Sequence, residues 1–292
     1  MGELLAVASA LCFGTTHFLS GLVSRHRHGV TVAACAQAGG TVVSLVPVLL
    51  TQGALAPPSA LGWGGLSGLG TGVGVACLYW SMNQGPMSVV VPVSDVTAVG
   101  LPVLAGIALL GDRPSPPALT GIALGLPALW LVSRGEPSGP RGPHEVRPGH
   151  GQGADRPRPA VLLALVAGVG LALHFFALAR IPASAGWWPV VVSRAVSVAV
   201  ILALFPATGA SLRLPRRAAA VAAVAGALGT LATILYLLAT RQELLSVAVV
   251  LSALYPAVPV LLALTFLRER ITRPQAVGLL GAGLAIGLIA LD

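Results

Sequence analysis

The chain has 292 residues, 55% hydrophobic and 9% charged, with a formal net charge of +8 and a mean hydropathy of +0.88. Soluble chains carry roughly 25% charged residues, so this composition cannot build a water-facing surface; its hydrophobicity also excludes disorder. Cys12, Cys35 and Cys77 lie in separate apolar runs, which excludes a disulfide scaffold and gives no metal-ligand spacing.

What remains is an all-α integral membrane protein. A bilayer core of about 30 Å needs about 20 apolar residues at roughly 1.5 Å each. The first such run is 3–23, which carries His17. It opens on Glu3 rather than a basic segment, so it is read as a mature helix and not a cleaved signal. The second, 30–50, carries Gln37. The third, 61–82, has Gly64, Gly68 and Gly72 on one helical face, then Tyr79 and Trp80. Only Asn83-Gln84-Gly85-Pro86 separates it from the fourth, 86–110, which holds Pro92, Ser94, Asp95 and Pro102. The fifth, 115–132, repeats the small-residue spacing at Gly121 and Gly125.

Residues 133–159 interrupt the series with six glycines, six prolines and eight formal charges. This composition reads as a flexible linker. His144 and His150 within it are too few and too far apart for a metal tract. The sixth run, 160–179, carries His174, and the seventh, 187–206, carries Arg194 after a Trp187-Trp188 pair of the kind that marks a membrane interface. The eighth, 218–239, holds Thr233 and Tyr236; the ninth, 244–267, holds Ser252, Tyr255, Pro256 and Pro259. The tenth, 274–291, pairs Gly278 with Ala282 and Gly283 with Gly287. Small residues four apart let helices approach closely, within the monomer or across a dimer face. Long continuous runs do not suit a transmembrane barrel.

The linker leaves a first repeat at 1–132 and a second at 160–292. Ser88 in GPMSVVVPV (85–93) matches Ser246 in ELLSVAVVL (243–251). Asp112 likewise matches Glu269, and Gly121 matches Gly278. Five spans per copy means the second copy enters the membrane from the opposite side. The expected architecture is two inverted five-helix repeats around a central cavity, open to each side in turn. Pro92 and Pro102 in the fourth span, and Pro256 and Pro259 in the ninth, are expected to break those helices and act as hinges.

The segments GPMSVVVPV (85–93), GDRPSPPALTGIAL (111–124) and LLSVAVVLSALYPAVPVLLALTFLRERITRPQAVGLL (244–280) resemble ten-helix EamA-type members of the drug/metabolite transporter superfamily. The resemblance covers the chain apart from the linker. It implies a central cavity and movement of small metabolites across a membrane. Similar sequences often carry acids near His17 and near Gly229, and a Glu at the place of Asp112. This chain departs at all three, so no ion-coupling role is carried over to those positions.

Ionisable groups at membrane depth are expensive and are functional candidates by default. Here they are His17, Asp95, His174 and Arg194. Asp95 suits a cation or a proton; its structural alternative is an ion pair with Arg194 or a bond to His17. The histidines can switch protonation near neutral pH, or simply be satisfied structural groups. Arg194 can clamp a carboxylate or phosphate. Tyr79, Trp80, Tyr236 and Tyr255 can line an apolar pocket with polar handles, or pack; Gln37, Ser94, Thr233 and Ser252 are weaker candidates. Asp112, Arg113, Arg268, Glu269 and Arg270 read as loop charges.

All 17 basic residues are arginine; 13 lie in the odd-numbered loops and 3 in the even ones. The positive-inside rule then puts both termini outside, whereas the resemblance implies cytoplasmic termini. No nucleotide-binding motif is present, so ATP coupling is not expected. The expected function is a secondary transporter, an exporter of amino acids or drug-like compounds at the cell membrane. It needs no cofactor or metal, has no catalytic residues and binds no nucleic acid. Its partners are a small-molecule substrate and the bilayer, as a monomer or homodimer. The alternatives are a lipid or lipid-linked flippase, a non-transporting scaffold, or a hydrolase built on Gly65-Leu66-Ser67-Gly68 with His174 as base.

Overall fold

The computed structural model describes residues 1–24, 27–51, 54–82, 87–133, 158–209, 211, 213–266 and 272–289. The linker at 134–157 and the Arg268–Arg270 segment lie outside them, as do the side chains of Tyr79, Pro92 and Pro259. The first half forms α1 (Gly2–Ser24), α2 (Gly29–Thr51), α3 (Pro58–Met82), α4 (Met87–Ala105) and α5 (Pro116–Ser133). The second forms α6 (Arg158–Ala179), α7 (Trp188–Leu204), α8 (Arg216–Ala239), α9 (Leu245–Ala253), α10 (Ala257–Phe266) and α11 (Arg273–Ile289). Together α9 and α10 are the ninth span, and α11 is the tenth. No strand occurs among the described residues. α1, α2, α3, α6, α8 and the stretch Val93–Leu110, which runs from α4 past its end, are long and apolar enough to cross a bilayer; α5, α7 and α11 are shorter apolar helices.

The helix neighbours obey an exchange rule. α3 packs on α6, and α1 packs on α8. α3 packs on α7, and α2 packs on α8. α4 packs on α6, and α1 packs on α9 and α10. Numbered one to five in each half, each of these contacts has its partner with the halves swapped, although α5 also touches α9 and α10 without a matching contact of comparable extent between α4 and α11. Contacts that map onto themselves also occur: α2 with α7, α4 with α9, and α5 with α11. This is the signature of a two-fold relation between the repeats. With five spans per copy that relation is an inversion across the membrane.

Glycine makes these contacts possible. A Cβ on Gly64 would lie 2.3 Å from Pro189 O, and one on Gly68 would lie 2.2 Å from Ser193 O. The stripe therefore seats α3 against the α7 backbone, while Gly70 on the next face meets Gly170 O of α6 at 2.5 Å. The swapped contact, α8 on α2, is tighter: a Cβ on Gly226 would fall 1.8 Å from Ala36 O. Gly121 and Gly278 do the same work between α5 and α11. Gly283 and Gly287 do not, because nothing lies within 4 Å of a Cβ at either. That pair faces away from the bundle, so the small-residue spacing there is not packing within the described chain.

The prolines fare differently in the two halves, and Pro259 of the ninth span lies within α10 without breaking it. The ninth span is interrupted at residues 254–256. Pro256 has no N–H to return to Ser252, and short-range bonds replace the α-helical ones: Ala257 N–H to Leu254 O at 3.1 Å and Val258 N–H to Tyr255 O at 3.0 Å. The fourth span needs a correction, because α4 runs unbroken through Pro92 and Pro102. A proline removes one donor, but a membrane helix continues where its neighbours cover the freed carbonyl. The departure from α-geometry comes later, as a π-helical turn at Gly106–Leu110 closed by Gly111 at φ 74°.

Asp112 follows that turn and is more than a loop charge. Its Oδ2 accepts the Ser246 N–H at 2.8 Å, in the first turn of α9. The opening amides of a helix lack partners within it, and a carboxylate there is favoured by both hydrogen bonding and the helix dipole. The end of the fourth span is thereby joined to the start of the ninth.

Gly226→Ala should abolish recovery of folded protein, whereas Gly283→Ala should leave yield and melting temperature unchanged. Fluorescence-detected gel filtration with a melting curve on both variants tests this. Equal yields would show that the α2–α8 contact is not the limiting one.

A buried polar network shared by the two halves

Asp95 is 4% exposed on α4. Its Oδ1 accepts the Tyr255 hydroxyl at 3.0 Å. Tyr255 lies in the interruption between α9 and α10, so the break carries the tyrosine to the carboxylate. The His17 ring of α1 stacks on Tyr255 with centroids 4.6 Å apart and planes 22° apart. His17 Nδ1 bonds to Phe13 O at 2.7 Å. His17 keeps an exposed surface and Tyr255 a partial one. The first half supplies the acid and the imidazole; the second supplies the phenol.

Arg194 is 7% exposed on α7. Nη1 donates to Gln37 Oε1 of α2 at 2.7 Å. Nη2 donates to Gly229 O and to Thr233 Oγ1 of α8. Thr233 in turn donates to Gly229 O at 2.9 Å. All three acceptors are neutral. The ion pair with Asp95 expected as the structural alternative does not form.

A third group joins α3, α6 and α7. His174 Nδ1 lies 2.8 Å from Ser67 Oγ and 2.7 Å from Thr71 Oγ1. Ser67 Oγ is also 3.0 Å from Ser193 Oγ, the residue before Arg194. Aromatic contacts connect this group to the first. His174 meets Phe175 at 5.3 Å, and Phe175 meets Phe13 at 6.1 Å and Tyr236 at 5.0 Å.

Of the sequence candidates, His17, Asp95 and Tyr255 therefore form one cluster, and Gln37, Arg194 and Thr233 another. His174 belongs to a third. Tyr236 is fully buried and donates its hydroxyl to Phe175 O at 3.1 Å, so it packs behind the network rather than lining it. Ser252 is also fully buried and donates to Ala6 O at 3.3 Å. Trp80 is 39% exposed near the end of α3, and no described contact ties it to these groups. No set of three or more His, Cys, Asp or Glu side chains suited to a metal occurs among the described residues.

Sequence reading missed Thr16, Thr71 and Ser193. Thr16 donates to Ala225 O of α8 at 3.0 Å. The usable signal was position: Thr71 is one turn after Ser67, and Ser193 precedes Arg194. Hydroxyls on glycine-rich faces are brought against a neighbouring backbone because those faces pack so closely.

A family model described as EamA-like transporter family matches residues 1–134 and, separately, 158–291. The chain belongs to the EamA-like transporter family. The same model fitting each half confirms the duplication seen in the helix contacts. The protein is thus a multi-pass membrane transporter of the drug/metabolite type. One solved structure, titled only as a crystal structure of a protein, aligns over 99% of this chain and 95% of its own. Its TM-score is 0.71 at 20% identity, which establishes a shared fold. A search of curated proteins found no match.

Tyr255→Phe keeps the ring stack and removes the donor to Asp95. The expected loss of stability is about 1.5–3 kcal/mol, the range for a hydrogen bond to a charged group. In a double-mutant cycle with Asp95→Asn the two effects should be non-additive by about 1 kcal/mol or more. Additive melting shifts would mean that the bond contributes nothing.

Proposed function

We propose that this chain is a secondary transporter that exports small metabolites, such as amino acids or drug-like compounds, across the cell membrane by alternating access. The observation that carries the reading is the Asp95–Tyr255–His17 cluster. It joins two helices of one half to the interruption in a span of the other. A group held by both halves at a helix break changes its surroundings when the halves move. That is what a substrate or coupling site in an inverted-repeat transporter requires. The sequence offers no nucleotide-binding motif, so the drive is an ion gradient or the substrate's own gradient.

The hydrolase alternative has one point in its favour: Ser67 and His174 are within hydrogen-bond distance. Ser67, however, has no accessible surface. Its neighbour Gly68 is pressed against Ser193 O, which leaves no room for an acyl group. The α3 amides are occupied within their helix, so none is available as an oxyanion donor. We therefore assign Ser67, Thr71, His174 and Ser193 to holding α3, α6 and α7 together. A serine-directed fluorophosphonate should leave Ser67 unlabelled in intact-mass analysis; labelling would restore the enzyme.

Proteoliposome flux with a panel of amino acids and drug-like cations tests the main reading. Asp95→Asn should insert and fold, yet lower flux about tenfold or more, the kinetic equivalent of losing one charge-assisted bond. Unchanged flux at every pH would remove Asp95 from the mechanism. No flux for any solute, with lipid scrambling present, would support a flippase instead.

A further inference from the structure

The geometry points to Arg194 as the anchor for the carboxylate of a small, singly charged organic anion. The inference deepens the transporter reading and rests on it for the ligand's role as cargo.

Arg194 stands in the interior of α7 with its donors on an amide oxygen, a hydroxyl and a backbone carbonyl. These satisfy hydrogen bonds without placing a negative charge in direct contact with it. No carboxylate bonds to it among the described residues. A cation buried at membrane depth with dipoles alone around it is costly, and an anion that reaches it recovers much of that cost.

Gly229 leaves one atom's width beside it. A Cβ built on Gly229 would lie 3.9 Å from Arg194 Nη2, 3.5 Å from Thr16 Cγ2 and 3.6 Å from Thr16 Oγ1. These are ordinary contact distances. Gly226 of α8 and Gly64 and Gly68 of α3 are shut by comparison. The missing side chain of Gly229 therefore leaves the space of one methyl-sized atom beside the guanidinium, with the Thr16 hydroxyl at its edge. A carboxylate oxygen placed there takes Nη2 from Thr233, whose own proton already goes to Gly229 O.

Charge balance selects the class. The charged and titratable groups in this part of the interior are His17 on α1, His174 on α6 and Asp95 on α4, whose carboxylate is engaged by Tyr255, with no second guanidinium among the described buried residues. One fixed positive charge matches one negative charge. A phosphate dianion would leave an excess charge in the bilayer. Phe13 lies one turn before Thr16 on α1 and contacts Phe175, so the walls nearby suit an apolar or aromatic remainder.

The test is a melting curve of the purified full-length protein. The probes are sodium phenylacetate and sodium isovalerate, their neutral amides, and inorganic phosphate. The carboxylates should raise the melting temperature saturably, on the order of 5 °C at a hundredfold excess over Kd. The amides and phosphate should not. Arg194→Gln should lose the response. Should that variant fail to fold, Gly229→Asp serves in its place, because it puts a carboxylate beside the guanidinium. That variant should melt higher than the parent without ligand and ignore added carboxylate.

The assignment is overturned by folded parent protein that responds to neither carboxylate. It is also overturned by equal responses to acid and amide, by a response to phosphate alone, or by a Gly229→Asp variant that keeps the full response. Binding is read here without flux. Carboxylate binding without transport of any solute counts against the transporter reading and leaves Arg194 as an anion site. Flux without carboxylate binding counts against Arg194 alone.

Discussion

Neither half of this chain can satisfy its own buried polar groups. Asp95 of the first half receives its hydroxyl from Tyr255 of the second. Arg194 of the second half donates to Gln37 of the first. His174 of the second is held by Ser67 and Thr71 of the first. In lipid an unmet polar group has no water to turn to. The repeats must therefore interleave rather than sit side by side, and the swapped pattern of helix neighbours follows from that need.

The glycine faces set where the structure is stiff. α3 is wedged against both α6 and α7 by glycines whose Cβ positions are already occupied by neighbouring backbone. Such contacts have no slack, and movement by sliding would cost many close contacts at once. The ninth span is different. Its helix stops at Ala253 and resumes at Ala257, and the gap presents Tyr255 to the polar interior. Rigid wedges and a broken span make up a bundle with few places to bend.

Much of this was legible in the sequence because hydrophobic run length is a direct consequence of bilayer thickness. Each expected span coincides with an observed helix to within about three residues at either end, once α9 and α10 are taken as one span and the π-helical turn at Gly106–Leu110 is counted with α4. The duplication was legible for a related reason: Ser88 and Ser246 each stand second in their helices. The fate of individual prolines was not. Pro256 ends a helix and Pro102 does not, because the outcome depends on whether neighbours cover the freed carbonyl, which is a tertiary property. Gly283 and Gly287 have the spacing of a packing face and no neighbour within the described chain. Spacing identifies a face but not what covers it. The polar partners were not legible for the same reason. Composition named Asp95 and Arg194 and offered an ion pair between them as one structural alternative, whereas the helix arrangement brings the Tyr255 hydroxyl to Asp95 and the Gln37 amide oxygen to Arg194, each from the other repeat.

The contact between Asp112 and the opening turn of α9 carries a mechanical consequence. It is one bond, at the rim of the bundle, between segments far apart along the chain. A hydrogen bond to a carboxylate contributes about 1.5–3 kcal/mol net, only a few times thermal energy. The glycine wedges deep in the bundle are clamps, while this one is a detent: firm enough to define a resting position and weak enough to be released by ordinary fluctuation.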